Sequence, residues 1–251
     1  MGLVRKAAAG ALVLFLAGCG GGGGGSDNEG DNGPNAAQGL YIGTSSDGRA
    51  ITGFIFADGA LWMVYSTQSN DNVVAGFVRA SASASNGNLS LSSGRDYNLE
   101  GLGVTPFNGS GTYNEMTSIA GTLSFSGGGS LGFTGTYDDA YNDTPTIAAI
   151  QGTYSATAGS PSFTDTVTFT VNSSGAVSGS SISFDCDFTG QATPRSDANA
   201  YNLQITFDGS ECAAPGETVR GVAAYNPAEQ QLIGLLTLSD RSDGAVFIGN
   251  K

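Results

Sequence analysis

The sequence predicts an all-β protein: two small antiparallel meander domains of barrel type, carried behind a leader and a flexible Gly-rich tether. Three observations support that expectation. Glycine supplies 40 of 251 residues and only 12% of the chain is charged; Ser, Thr and Asn fill the polar positions, a balance suited to short strands and tight turns. Apolar runs of strand length recur with turn residues between them, and no useful window outside the leader repeats with the 3.6-residue period of a helix. The pattern then stops at an acidic, proline-ended break and restarts in the same order.

Residues 1–18 read as a signal peptide. Arg5 and Lys6 form a basic start, Ala7 through Leu16 an apolar stretch, and small residues follow. The apolar run is too short to cross a bilayer, which takes about 20 residues. It closes on Leu16-Ala17-Gly18-Cys19, and this tetrad resembles the lipobox of bacterial lipoproteins. The resemblance implies that Cys19 is the lipidation site and the first residue of the mature chain. It also implies several acyl chains there, more than stable anchoring requires. Gly20 follows the cysteine in place of the Asp that retains such proteins in the inner membrane. By the family's rule the destination is the bacterial outer membrane, with the periplasmic or cell-surface face left open. The membrane is thus a partner through the N-terminal anchor. Residues 19–37 continue as a Gly/Ser/Asn/Asp segment that has too little apolar surface to fold. As a flexible tether it reaches roughly 20 to 25 Å. Asp27, Glu29 and Asp31 alternate within it but lack the remainder of an EF-hand loop, so solvated linker is the expectation and no metal is assigned.

The N-terminal domain is expected over 38–137. Its runs are 39–45 (GLYIGTS), 51–57 (ITGFIFA) and 60–66 (ALWMVYS), the last two joined by Asp58-Gly59, a strong hairpin signal. Runs at 73–82 and 89–92 follow, then a less regular stretch near 97–107, then 109–113, 118–125 and 131–137. A linker at 138–148 holds Asp138, Asp139, Asp143 and Pro145. The C-terminal domain, 149–251, contains runs at 150–157, 165–171, 176–180, 182–192, 200–207, 218–225, 230–238 and 245–249. Both halves open similarly, with Gly39-Leu40-Tyr41 and Gly152-Thr153-Tyr154, and each places a turn close behind, at Asp58-Gly59-Ala60 and Ser174-Gly175-Ala176. Length and order favour two related domains over one joint sandwich. Eight strands with short links suit a closed meander, which removes exposed edges.

The opening Gly152-Thr153-Tyr154 and the last strand Gly244-Ala245-Val246-Phe247-Ile248-Gly249 are similar to the first and last strands of the barrels in transferrin-binding-protein-like and factor-H-binding-protein-like surface lipoproteins. Lipocalin-like calycins open in a similar way. Cys186-Asp187-Phe188-Thr189-Gly190, with a second Cys after a Tyr-Asn-Leu-Gln-Ile-Thr-Phe strand, resembles uncharacterised proteobacterial lipoproteins. That likeness implies a lipoprotein of unknown role with a disulfide. With Cys19 consumed by acylation, Cys186 and Cys212 remain as an even pair in an exported chain. Closing a loop of about 26 residues stabilises by about 3 kcal/mol on the chain-entropy model.

Composition excludes several functions. The net charge is −13, and loss of Arg5 and Lys6 with the leader makes it −15; nucleic acid, which needs basic patches, is not an expected partner. The sequence contains no His, which rules out Ser-His-Asp and Cys-His catalysis and HExxH zinc sites. After processing, the only lysine is Lys251, so a Ser-Lys dyad fails as well. Asp185 and Asp187, at i and i+2 in an expected strand, lie about 7 Å apart on one face, but they read as solvent-facing while Phe184, Cys186 and Phe188 point inward. No catalytic residue and no cofactor is assigned. The candidate binding patch is Trp62, Tyr65 and Tyr41. The run from Leu61 to Ser66 has large apolar groups on both faces; one face is core, and the other lines a cavity, meets the second domain or meets a partner. The arginines read as scattered singly, with no concentrated anion site. A non-catalytic binding or surface-interaction module is therefore expected, with a passive envelope-spacing lipoprotein as the alternative.

Overall fold

The computed structural model describes residues 35–212 and 214–251. The expected signal peptide, Cys19 and the expected tether through residue 34 lie outside the described residues.

Two closed eight-stranded barrels make up the described chain. The first contains β1 (Gly39–Ser45), β2 (Ala50–Ile55), β3 (Ala60–Thr67), β4 (Asn70–Ser85), β5 (Asn88–Asn98), β6 (Gly103–Asn114), β7 (Ser118–Phe125) and β8 (Ser130–Asp138). The second contains β9 (Gly152–Gly159), β10 (Thr164–Val171), β11 (Ala176–Ser181), β12 (Asp187–Pro194), β13 (Tyr201–Asp208), β14 (Thr218–Asn226), β15 (Gln231–Thr237) and β16 (Gly244–Asn250). Each strand pairs antiparallel with its sequence neighbours. The seams close where β1 meets β8, with Tyr41 opposite Tyr137, and where β16 meets β9, with Ile248 opposite Thr157. Closure of each sheet upon itself excludes a joint sandwich.

Strict alternation builds the second barrel. In β10 every second residue, Asp165, Val167, Phe169 and Val171, is buried, as the two-residue period of a pleated strand dictates. The similarity of the two openings is structural. Tyr41 Oη donates to the carbonyl of Ala37 at 2.9 Å, and Tyr154 Oη donates to that of Ile150 at 2.7 Å. Each is a fully buried phenol tied four residues upstream, pinning the chain as it enters its barrel. The hairpins also correspond. Gly59 and Gly175 sit at φ of +79° and +83°, a conformation open to glycine, and their carbonyls accept from Ala82 and Ala192 at 2.7 and 2.8 Å.

Several sequence expectations need adjustment. Residues 35–37, read as the end of the tether, belong to the first barrel: Asn35 Nδ2 donates to Ala82 O at 2.7 Å, and Ala37 is fully buried. The irregular stretch near 97–107 is the end of β5 and the start of β6. The run at 182–192 begins as a strand only at Asp187; Ser181 N–H donates to Cys186 O and Phe184 N–H to Ser181 Oγ, which fold 182–186 into a turn. Asp185 and Asp187 thus do not share one strand face; Phe184, half exposed, still lines the cavity of the second barrel beside Cys186 and Phe188. The linker is ordered by a 3-10 turn at Asp139–Asn142, capped by the Asp138 carboxylate, and by a one-turn helix α1 (Ile147–Ile150).

The barrels form one unit through an aromatic layer between them. Phe54, Trp62, Phe77 and Tyr97 from the outer face of the first barrel and Tyr141 of the connection pack with Val222, Leu235 and Val246 of the second. Arg195 fastens the layer: its guanidinium stacks on Phe56 at 3.9 Å and pairs with Asp197 at 2.9 Å and Asp58 at 3.4 Å. Strand β3 therefore buries both faces, Leu61 and Met63 toward its own barrel and Trp62 toward the other.

Candidate functional site: two hollow barrel interiors

Each barrel encloses a cavity. In the first, about 290 Å³ is open between an apolar floor, which includes Leu61, Met63, Val78 and Phe107, and a polar pole of Tyr65, Asp96 and Asn98. Few polar groups converging on an apolar pocket is the usual construction of a small-ligand site.

A bulge sets the polar pole. Along β5, Leu89 and Leu91 face inward; between Leu91 and Gly94 the strand gains one residue relative to β6, and Ser93 takes a φ of +52°. An extra residue reverses the facing of all that follow. Asp96 and Asn98 consequently line the interior, while Arg95 and Tyr97 face out. The Tyr65 hydroxyl donates to Asp96 Oδ1 at 2.7 Å and accepts from Asn98 Nδ2 at 3.2 Å. Asn98 is held by Glu100 and Leu102 N–H groups on its Oδ1, at 2.9 and 3.1 Å. Space for the phenol comes from Gly76 in β4, where a Cβ would collide with Tyr65 Oη.

Burial raises the Asp96 carboxyl to about 6, against the opposing Tyr65 hydrogen bond and the charge of Arg49. Tyr65 is raised well above the ordinary phenol range by burial and then by Asp96. Among the described residues only Oδ1 of Asp96 accepts a hydrogen bond, which leaves Oδ2 available to a ligand donor. Arg49 closes the rim: it pairs with Asp47 at 2.9 Å and Glu100 at 2.8 Å, donates to Ser66 O at 3.0 Å and lies 5.6 Å from the Tyr65 ring centroid. Its charge is thus already shared between two carboxylates, and the pole as a whole is acidic. The arrangement can hold a small apolar body by its amine or hydroxyl.

The second cavity, about 240 Å³, is lined mainly by apolar groups such as Phe169, Phe188, Phe207 and Phe247, with Asp165 and Glu211 at its edge. The Asp165 carboxylate is occupied by Ser181 Oγ at 2.5 Å and Thr166 N–H at 2.7 Å. Cys186 and Cys212 form a disulfide, with their Cα atoms 4.7 Å apart, and join the turn at 182–186 to the segment after β13.

The three residues expected to form a patch are separated by the structure. Tyr41 is fully buried in the first core and Trp62 is 4% exposed in the layer between barrels; the same burial that makes them good core residues removes them from a surface. Tyr65 lines the first cavity. Sequence reasoning missed Asp96, Asn98 and Arg49. The discoverable signal was a carboxylate and an amide two residues apart beyond Leu89 and Leu91, but their facing depends on the bulge.

No family model and no curated protein matches this chain. Among solved structures it is similar to the isotype 1 transferrin binding protein B from serogroup B Neisseria meningitidis, with 10% identity and a TM-score of 0.27, over 81% of this chain and 65% of that one. A mutant transferrin binding protein B from Haemophilus parasuis Hp5 aligns at 9% identity and a TM-score of 0.26, over 86% and 76% of the two chains. Intact Ap-TbpB, with N and C lobes, aligns at 10% identity and a TM-score of 0.24, over 87% and 79%. This chain therefore spans 65% of the length of the Neisseria protein.

Proposed function

We propose that this protein is a membrane-tethered, non-catalytic binding module whose first barrel takes a small molecule with an apolar body and a hydrogen-bond-donating head. The observation that carries the reading is Asp96: a largely buried carboxylate, with one oxygen held by Tyr65 and the other available, at the polar end of an apolar cavity. Desolvating a carboxylate is costly, and a donor from a ligand recovers part of that cost. Isothermal titration calorimetry with phenethylamine and with 2-phenylethanol tests it. Saturable binding of either probe, weakened at least about tenfold by Asp96→Asn, is expected. Absence of saturable binding of both overturns the reading and leaves the envelope-spacing alternative.

The tether is part of the same proposal. Cys19 in Leu16-Ala17-Gly18-Cys19 accepts the acyl chains, and the module hangs from the bacterial outer membrane. Metabolic labelling with an alkynyl palmitate analogue tests this: label is expected on the full-length protein and absent from Cys19→Ser. Equal label on both refutes the anchor.

A further inference from the structure

Seven cations remain outside the leader, against 22 acidic residues, and the fold gathers three of the seven at one place. Arg79 and Arg95 lie directly opposite each other on β4 and β5. Both face out of the first barrel, because the bulge that turns Asp96 inward turns Arg95 outward, and both lie beside Tyr97 of the layer between the barrels. From the second barrel comes Arg241, in the turn between β15 and β16, whose guanidinium donates to Ser93 O in that same bulge at 3.1 Å. The Arg241 backbone is fixed too, since its carbonyl accepts from Tyr97 Oη at 3.2 Å. Arg79 stacks on Trp62 at 4.7 Å and donates to Thr237 Oγ1 at 2.6 Å; Arg95 donates to Gly94 O at 2.9 Å.

Among the described residues no carboxylate lies within 4.0 Å of any of the three. The nearby carboxylates are turned elsewhere: Asp243 accepts from Gly244 N–H at 2.7 Å, and Asp240 from the Ser242 N–H and hydroxyl at 2.9 and 2.7 Å. Each guanidinium thus keeps most of its N–H donors, and Arg241 depresses the proton affinity of Arg79, which burial already lowers. Like charges directly opposite across strands destabilise a sheet. An unpaired group of them in so acidic a protein is relieved by an external anion, and guanidinium forks suit the oxygens of a phosphate.

We propose that Arg79, Arg95 and Arg241 form an oxyanion site at the junction of the barrels, taking a phosphate group. Both barrels contribute to it, so an occupied site also ties them together.

Thermal unfolding of the full chain, with sodium phosphate titrated against sodium chloride at constant ionic strength, tests the site. A saturable rise in Tm is expected for the wild type, with apparent affinity reduced at least tenfold in Arg95→Gln and in Arg241→Ala. Arg79 is left intact because its packing on Trp62 makes a folding defect the trivial result. Arg220→Gln, in β14 and bonded to Gln204, is expected to behave as wild type. A non-saturable response, or an unchanged affinity in both junction variants, overturns the proposal. Dihexanoyl phosphatidic acid supplies the second arm: tighter binding than inorganic phosphate assigns a lipid headgroup, and equal binding assigns the free ion.

Discussion

Replacing Asp96 by Asn keeps an acceptor for the Tyr65 hydroxyl and removes the charge, so the effect on stability isolates the cost of burying that charge. The carboxyl sits at about 6 in the folded protein against an ordinary 3.8. Below about pH 4 it is protonated in both folded and unfolded chains and contributes no difference. Between 4 and 6 the folded state binds more protons, so stability falls as pH rises. Above 6 the whole penalty is present, about 2 to 3 kcal/mol after allowance for the partial exposure of the group. Urea unfolding of wild type and Asp96→Asn from pH 4 to 8 reads the difference. The Asn variant is expected to gain on the wild type through pH 4 to 6 by that amount and then level off, any pH-independent cost of the amide cancelling in the comparison. A difference that stays constant with pH, or that moves in favour of Asp as pH rises, refutes the account of the polar pole.

Other perturbations probe the remaining parts. Changing Cys186 and Cys212 together to Ser is expected to lower stability by about 3 kcal/mol, read as a lower urea midpoint equal to that of the reduced wild type. Tyr41→Phe and Tyr154→Phe each lose one buried hydrogen bond and strand a carbonyl, at a cost of about 1 to 2 kcal/mol apiece; differential scanning calorimetry should show similar losses, since the two phenols do the same task. Gly76→Ala sets a Cβ against both Tyr65 Oη and the Tyr97 carbonyl, so it is expected to push Tyr65 off Asp96 and to strain the β4–β5 pairing, measured as loss of phenethylamine binding together with a lower urea midpoint.

Period-two alternation and turn residues made the strands legible wherever the ladder is regular. β10, where Thr alternates with Val167, Phe169 and Val171 after Asp165, was legible from its own sequence, and Asp58-Gly59 and Ser174-Gly175 placed the hairpins of both barrels. The limits have physical causes. A bulge such as that at Ser93 changes no local composition, yet it reverses which side chains face the interior, so the inward facing of Asp96 and Asn98 follows only once β5 is paired with β6. The placement of the arginines was hidden for a related reason: Arg79 and Arg95 are paired only across β4 and β5, and Arg241 reaches the Ser93 bulge only from the turn between β15 and β16. Trp62 was legible as a residue on a strand with two apolar faces, but its second face was left among three uses, of which contact with the other barrel is the one observed.

The central claim is that the first barrel is a hollow receptor with Asp96 at its polar end. Methionine methyl signals in a 13C-labelled sample examine it directly, because Met63 is buried at the cavity and Met116 is 63% exposed on the first barrel, outside the residues that line it. Titration with phenethylamine at pH 7.5 is expected to move the Met63 methyl saturably, leave Met116 still, and lose most of the Met63 response in Asp96→Asn. A Met63 signal that moves with neither phenethylamine nor 2-phenylethanol, or moves equally in the variant, contradicts the claim.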